Sequence, residues 1–170
     1  MTMAEKMHRV LMAALCALIG AGATAEPIGA PCQAAEYRQY DVWLGEWDVT
    51  SPTLGPIGQN RITAAADGCG LIEEWTGRDG SRGIGLMAYS AQEGKWQQFW
   101  TDTRGKVSRS SGAEEQGRLV LEAEAAPAPG SRQRVVLQAL PDKTLRQTQE
   151  SSDNGGRTWV VQFEAIYRRR

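Results

Sequence analysis

The sequence predicts an all-β protein, a ten-stranded up-and-down antiparallel β-barrel, and three observations predict it. From residue 41 onward, turn chemistry built on Gly, Pro, Asn and Asp recurs about every 8 to 14 residues. Between those turns, apolar and polar residues alternate with period two, as half-buried strands require. No run of roughly ten to fifteen residues in this region holds a helical repeat, so the crossover helices of a parallel sheet are missing. A sandwich of Greek keys satisfies the same three observations. Short hairpin connections favour the closed meander, because closure removes the exposed edges that a long open sheet leaves.

Residues 1–25 read as a secretory signal. Lys6, His8 and Arg9 give a cationic start, residues 10–19 an apolar run, and Ala23-Thr24-Ala25 a small-residue cleavage site. The run is short against the ~20 residues that a membrane-spanning helix needs. Cys16 raises the alternative of a lipid anchor, but Leu15 precedes it where such a site takes a small residue. Cleavage after Ala25 leaves residues 26–170, one domain's worth, in the periplasm or secreted, with no further span to hold it in a membrane.

Cleavage also removes His8, the single histidine, and every methionine except Met87. A chain without imidazole excludes serine triads, most zinc sites and histidine-ligated haem, so neither cofactor nor metal is expected. Cys32 and Cys69 remain. In an oxidising compartment this pair reads as a structural disulfide, with metal binding by two thiols as the alternative. The formal net charge is −1. The one dense basic run, Arg168-Arg169-Arg170, is short and lacks interleaved aromatics, which argues against nucleic acid as a partner.

Residues 26–40 form a lead-in, extended over 26–31 and with one short helical turn over 34–40. The barrel domain, 41–170, opens on Asp41-Val42-Trp43-Leu44-Gly45-Glu46-Trp47-Asp48-Val49. Read as a strand, this stretch sets Trp43, Gly45, Trp47 and Val49 on one face. Strands are expected over residues 45–50, 59–65, 71–76, 84–90, 96–101, 106–111, 118–124, 132–140, 144–151 and 158–168. Parity assigns the core face of the last strand to Trp159, Val161, Phe163, Ala165 and Tyr167, leaving Gln162 and Glu164 outside.

Three strands place polar groups on the face turned inward. Glu73 lies between Leu71 and Trp75, Gln98 between Trp96 and Trp100, and Gln147 and Gln149 follow Leu145. Burying such a group without partners costs ~1–3 kcal/mol. These groups, with Glu73 or its neighbour Glu74, therefore need one another, water or a ligand. The other resolution is a bulge that turns them out to solvent. Trp43 and Trp47 read as plug residues. Trp75, Trp96 and Trp100 either fill the barrel or line a cavity. Arg109 and Arg146 are candidates for a cation at the cavity mouth that would meet an acidic ligand. Asp102, Glu73, Glu74 and Glu150 are candidate acid/base carboxylates, since one lying beside Trp75 would have a raised pKa.

Gly45-Glu46-Trp47 near the start of the first strand and Arg168 after the last resemble the signature of the lipocalin-like calycin superfamily. The resemblance implies that Arg168 packs over the Trp47 indole and closes one barrel end. Residues 43–49, 68–75, 96–102 and 153–159 are similar to segments of uncharacterised bacterial exported proteins of that superfamily. Nitrobindin, a ten-stranded barrel with histidine-ligated haem, is a distant architectural relative, and the missing histidine separates this chain from its haem chemistry. Together these observations lead us to expect an exported protein that binds a small apolar or amphipathic ligand through Trp75, Gln98, Trp100, Gln147, Gln149 and Arg109. The alternatives are a cofactor-free isomerase or cyclase working through Glu73 or Glu74, for which some calycin-like barrels give precedent, and a non-binding envelope scaffold.

Overall fold

The computed structural model describes residues 32–170. The expected signal over residues 1–25 and its cleavage site lie outside them. Ten antiparallel strands follow the lead-in: β1 Gly45–Ser51, β2 Gly55–Ala65, β3 Gly70–Gly77, β4 Arg82–Ser90, β5 Lys95–Asp102, β6 Val107–Glu115, β7 Arg118–Ala123, β8 Arg132–Ala139, β9 Leu145–Ser152 and β10 Val160–Arg169. Each strand pairs with its neighbours in sequence and β1 closes on β10, so the chain is an up-and-down closed barrel, as its turn spacing predicts. No helix among the described residues is long and apolar enough to cross a membrane.

Alternating strand direction sorts the connections onto two ends. The lead-in, the turns β2–β3, β4–β5, β6–β7 and β8–β9, and the C-terminus gather at one end; the other five connections gather at the opposite end. The first end is plugged. Two 3₁₀ turns, Ala35–Arg38 and Asp41–Trp43, carry the lead-in across it. The Cys32–Cys69 disulfide ties the start of that segment to the β2–β3 turn, with Cα atoms 5.0 Å apart.

The first strand begins at Gly45 as expected, but the strand-like alternation read over residues 41–44 is corrected by that second 3₁₀ turn. Trp43 reaches the core from the plug and not from β1, whose first residue, Gly45, sits at φ +129°. Trp47, 1% exposed, anchors the plug. Its Nε1 donates to the Trp43 carbonyl at 2.8 Å, and Tyr40 packs edge-on to Trp96 with ring centroids 4.5 Å apart.

The arginine over Trp47 is Arg169, not Arg168. Its guanidinium carbon lies 4.4 Å from the ring centroid and its Nη1 donates to Leu44 O at 2.9 Å. Period two requires this: Tyr167 points inward, so Arg169 shares its face, and Arg168 points out to Thr50 Oγ1 at 3.3 Å. A Cβ at Gly45 would lie 2.5 Å from Arg169 Nη1, so the glycine is what lets the arginine cross the end of the barrel.

The core face of β10 holds for Phe163, Ala165 and Tyr167 and fails before them. A bulge between Val161 and Phe163 shifts the register, leaving Val161 exposed and Trp159 ahead of the strand, beneath Arg134 at 4.0 Å.

Candidate functional site

Glycines on the inner wall make the space inside the open half of the barrel. In β4, Gly83 and Gly85 alternate inward beside Met87, and in β2 Gly58 faces inward beside Asn60. The Trp100 indole lies directly on Gly83, and a Cβ at Gly58 would meet the Trp75 ring at 2.6 Å. Both indoles therefore rest against bare backbone of a neighbouring strand, where a larger side chain would displace them. The result is a cavity of about 500 Å³, open at the end opposite the plug.

Indoles and amides line the inner part of this cavity with the carboxylate of Glu73. Trp75, Trp100, Phe163, Val135 and Tyr167 supply apolar surface; Gln98, Gln147 and Gln149 supply amides. Gln98 accepts from Ser110 Oγ at 3.1 Å, and Gln147 accepts from the Tyr167 hydroxyl, so these two form the floor between cavity and plug. Gln149 lies nearer the mouth and is exposed. Trp96 does not line the cavity. It is buried in the plug, and its Nε1 donates to Gln39 Oε1 at 3.0 Å.

Glu73 is the one carboxylate held deep in the cavity wall, 5% exposed. Asn60 Nδ2 donates to its Oε1 at 2.7 Å. Oε2 makes no hydrogen bond among the described residues; it lies against Gly85, where a Cβ would sit 2.9 Å from it and 3.4 Å from Trp100 Cε3. Burial pushes the Glu73 carboxyl up to about 7, against the smaller opposing pull of the Asn60 hydrogen bond. Tyr40 and Tyr167, themselves buried, are raised further by the nearby Glu73 charge.

Several candidates turn away from the cavity. Glu74 points outward and pairs with Arg61 at 2.6 Å, as parity requires for the neighbour of an inward Glu73. Arg109 is exposed on the outer wall, 5.9 Å over the Phe99 ring. Arg146 pairs with Glu164 at 2.9 Å, and Glu150 with Arg134 at 2.6 Å, both on the outer face of β8 to β10. The expected mouth cations are thus replaced by Arg78, Arg104 and Lys106, which stand at the rim with Asp79 and Asp102. Arg104 is engaged by Asp79, and Asp102 caps its own turn by accepting from the Arg104 and Lys106 backbone at 2.9 and 3.1 Å.

Sequence reasoning missed Asn60, the partner of Glu73, and the inward glycines. Both had a signal. Asn60 falls on the inner parity of β2 between Gly58 and Ile62, and Gly83-x-Gly85 repeats with the period of a strand.

No protein-family model matches the chain, and no curated protein matches it in sequence.

Proposed function

We propose that this protein is an exported carrier or binding protein that takes one small, flat, mixed-polarity molecule into the open half of its barrel. The observation that carries the reading is the cavity of about 500 Å³, within the range of ligand pockets, walled by two indoles that rest against glycine. The Cys32–Cys69 disulfide supports an oxidising, exported location, in keeping with the signal expected over residues 1–25. Titrating lipophilic dyes against tryptophan fluorescence tests it: quenching that saturates at one dye per chain is expected, and weaker quenching in Trp100→Leu. Absence of saturable quenching with every dye overturns the reading. Native mass spectrometry of protein taken from its own compartment would then weigh the copurified molecule.

A second reading rests on Glu73, a buried carboxyl facing the cavity and titrating near neutrality, as a general acid or base does. In that reading the protein is a cofactor-free isomerase or cyclase. Turnover lost in Glu73→Gln with binding retained separates it from a carrier. The scaffold reading draws on Ile84, Leu86 and Phe99, which are 54%, 50% and 39% exposed and adjacent on the outer wall of β4 and β5. The open interior is what sets it behind the other two.

A further inference from the structure

The half-satisfied carboxylate at the bottom of the cavity narrows the class of ligand. Glu73 Oε1 is held by Asn60, whereas Oε2 has no hydrogen-bond partner among the described residues and shares the space over Gly85 with the edge of Trp100. No arginine or lysine among the described residues forms an ion pair with Glu73, and Arg104, at the rim, is engaged by Asp79. An ionised carboxylate in such a place is penalised unless a cation or donor reaches it. Beyond the Asn60 amide on Oε1, the described residues supply none to Oε2, and the open side faces the cavity. Beside it stands the edge of Trp100, and Trp75 lines the same cavity; indole is the side-chain type that attracts an organic cation most strongly.

We infer, building on the carrier reading, that the ligand bears a protonated nitrogen on a flat ring system, seated with the nitrogen donating to Glu73 Oε2 and the ring against Trp75 and Trp100. The anionic class fits less well. An acid would be repelled at the floor and could be met only by the rim cations, outside the indole walls. A purely apolar ligand would bury Glu73 Oε2 without a partner and hold it protonated. The groups facing Glu73 from the surrounding elements are Asn60 on β2, Gly85 on β4, Trp100 on β5, Tyr167 on β10 and Tyr40 in the plug. Both tyrosines are held above their ordinary range, mainly by burial, so neither titrates near neutrality. Glu73 is thus the group whose ionisation sets the affinity for a cation.

Isothermal titration of the purified protein with three probes of one shape tests this: naphthylmethylamine, naphthalenemethanol and naphthoate. The amine is expected to bind at least about tenfold tighter than the alcohol, the scale of a charge-assisted hydrogen bond. That preference is expected to vanish in Glu73→Gln. In the unaltered protein the amine, which stays protonated throughout, is expected to lose about tenfold or more of its affinity between about pH 8 and about pH 5.5, while the alcohol is unchanged. This second arm needs no variant and stands even where Glu73→Gln does not fold. Alcohol or naphthoate binding as tightly as the amine, or an amine preference that survives Glu73→Gln or acidification, overturns the inference and leaves the carrier reading intact. Failure of all three probes to bind, together with absent dye quenching, overturns both.

Discussion

The two ends of the barrel use the same side chain for opposite purposes. At the plugged end Trp47 and Trp96 meet other large groups, Tyr40, Tyr167 and the 3₁₀ turns, and the N–H groups of these two indoles find the Trp43 carbonyl and Gln39 Oε1 as acceptors. At the open end Trp75 and Trp100 meet glycine. The difference lies in what stands opposite the ring. A tryptophan facing bulk fills the barrel, whereas a tryptophan facing a bare Cα rests against the backbone and leaves the middle empty. Barrel closure alone therefore does not decide whether there is a cavity; the inner-face glycines of β2 and β4 do.

The sharpest way to break this comparison is to truncate one indole from each end. Trp47→Ala removes a fully buried ring and the face on which Arg169 rests, and is expected to lower the unfolding free energy by about 3 to 5 kcal/mol in urea titration. Trp100→Ala, at a half-buried ring bordering open space, is expected to cost less than about half of that. Equal losses would show that the two ends are not different in kind. Next in size, Cys32→Ser with Cys69→Ser releases the strap across the plug. The bridged cysteines are 37 residues apart, and losing such a closed loop is expected to cost about 2 to 4 kcal/mol by the same measurement, with dye quenching unaltered in protein that remains folded. Smaller again, Gly83→Leu puts a side chain where the Trp100 indole lies. It should destabilise by about 1 to 3 kcal/mol while abolishing dye quenching, and retained quenching would show that the glycines do not hold the cavity open.

Strand number, turn positions and most inner faces were legible in the sequence because each depends on short-range chemistry: period-two alternation and turn residues at fixed intervals. The misreadings arose where a register slips or a chain end adopts another conformation. Parity alone would have selected Arg169, since it shares a face with Tyr167, but the superfamily signature drew attention to Arg168. The bulge before Phe163 exposes Val161 without any glycine or proline to announce it. In the site, Glu73, Gln98, Gln147 and Gln149 were visible as interruptions of an inner face on which Trp75 and Trp100 also lie. Arg109 and Arg146 were misplaced because an arginine's length hides which side it serves, and each lies on the outer wall, Arg109 over Phe99 and Arg146 against Glu164. A cavity was expected from that interrupted face; what opens it, the missing side chains at Gly58, Gly83 and Gly85, was not read from the sequence.

The finest distinction between interior and exterior is between adjacent residues, Glu73 and Glu74. In the folded chain Glu73 titrates near about 7, above its ordinary 4.5. Between those values the folded state binds more protons than the unfolded one, so this group's contribution to stability falls as pH rises. The penalty is absent below the lower value and fully present above the higher one; the whole window corresponds to about 3 kcal/mol. Glu73→Gln removes the titration while keeping an acceptor for Asn60. The variant is expected to be more stable than the parent by about 1 to 2 kcal/mol at about pH 8, with the gain shrinking on acidification and gone near the ordinary carboxyl value. Glu74→Gln loses only a solvent-exposed pair with Arg61 and is expected to stay within about 0.5 kcal/mol of the parent across the same range. Urea titrations of the three proteins across pH decide it. A gain for Glu73→Gln that does not depend on pH would mean that the carboxyl is not desolvated in the folded barrel, and that its neighbours hydrate it as freely as Glu74 is hydrated outside.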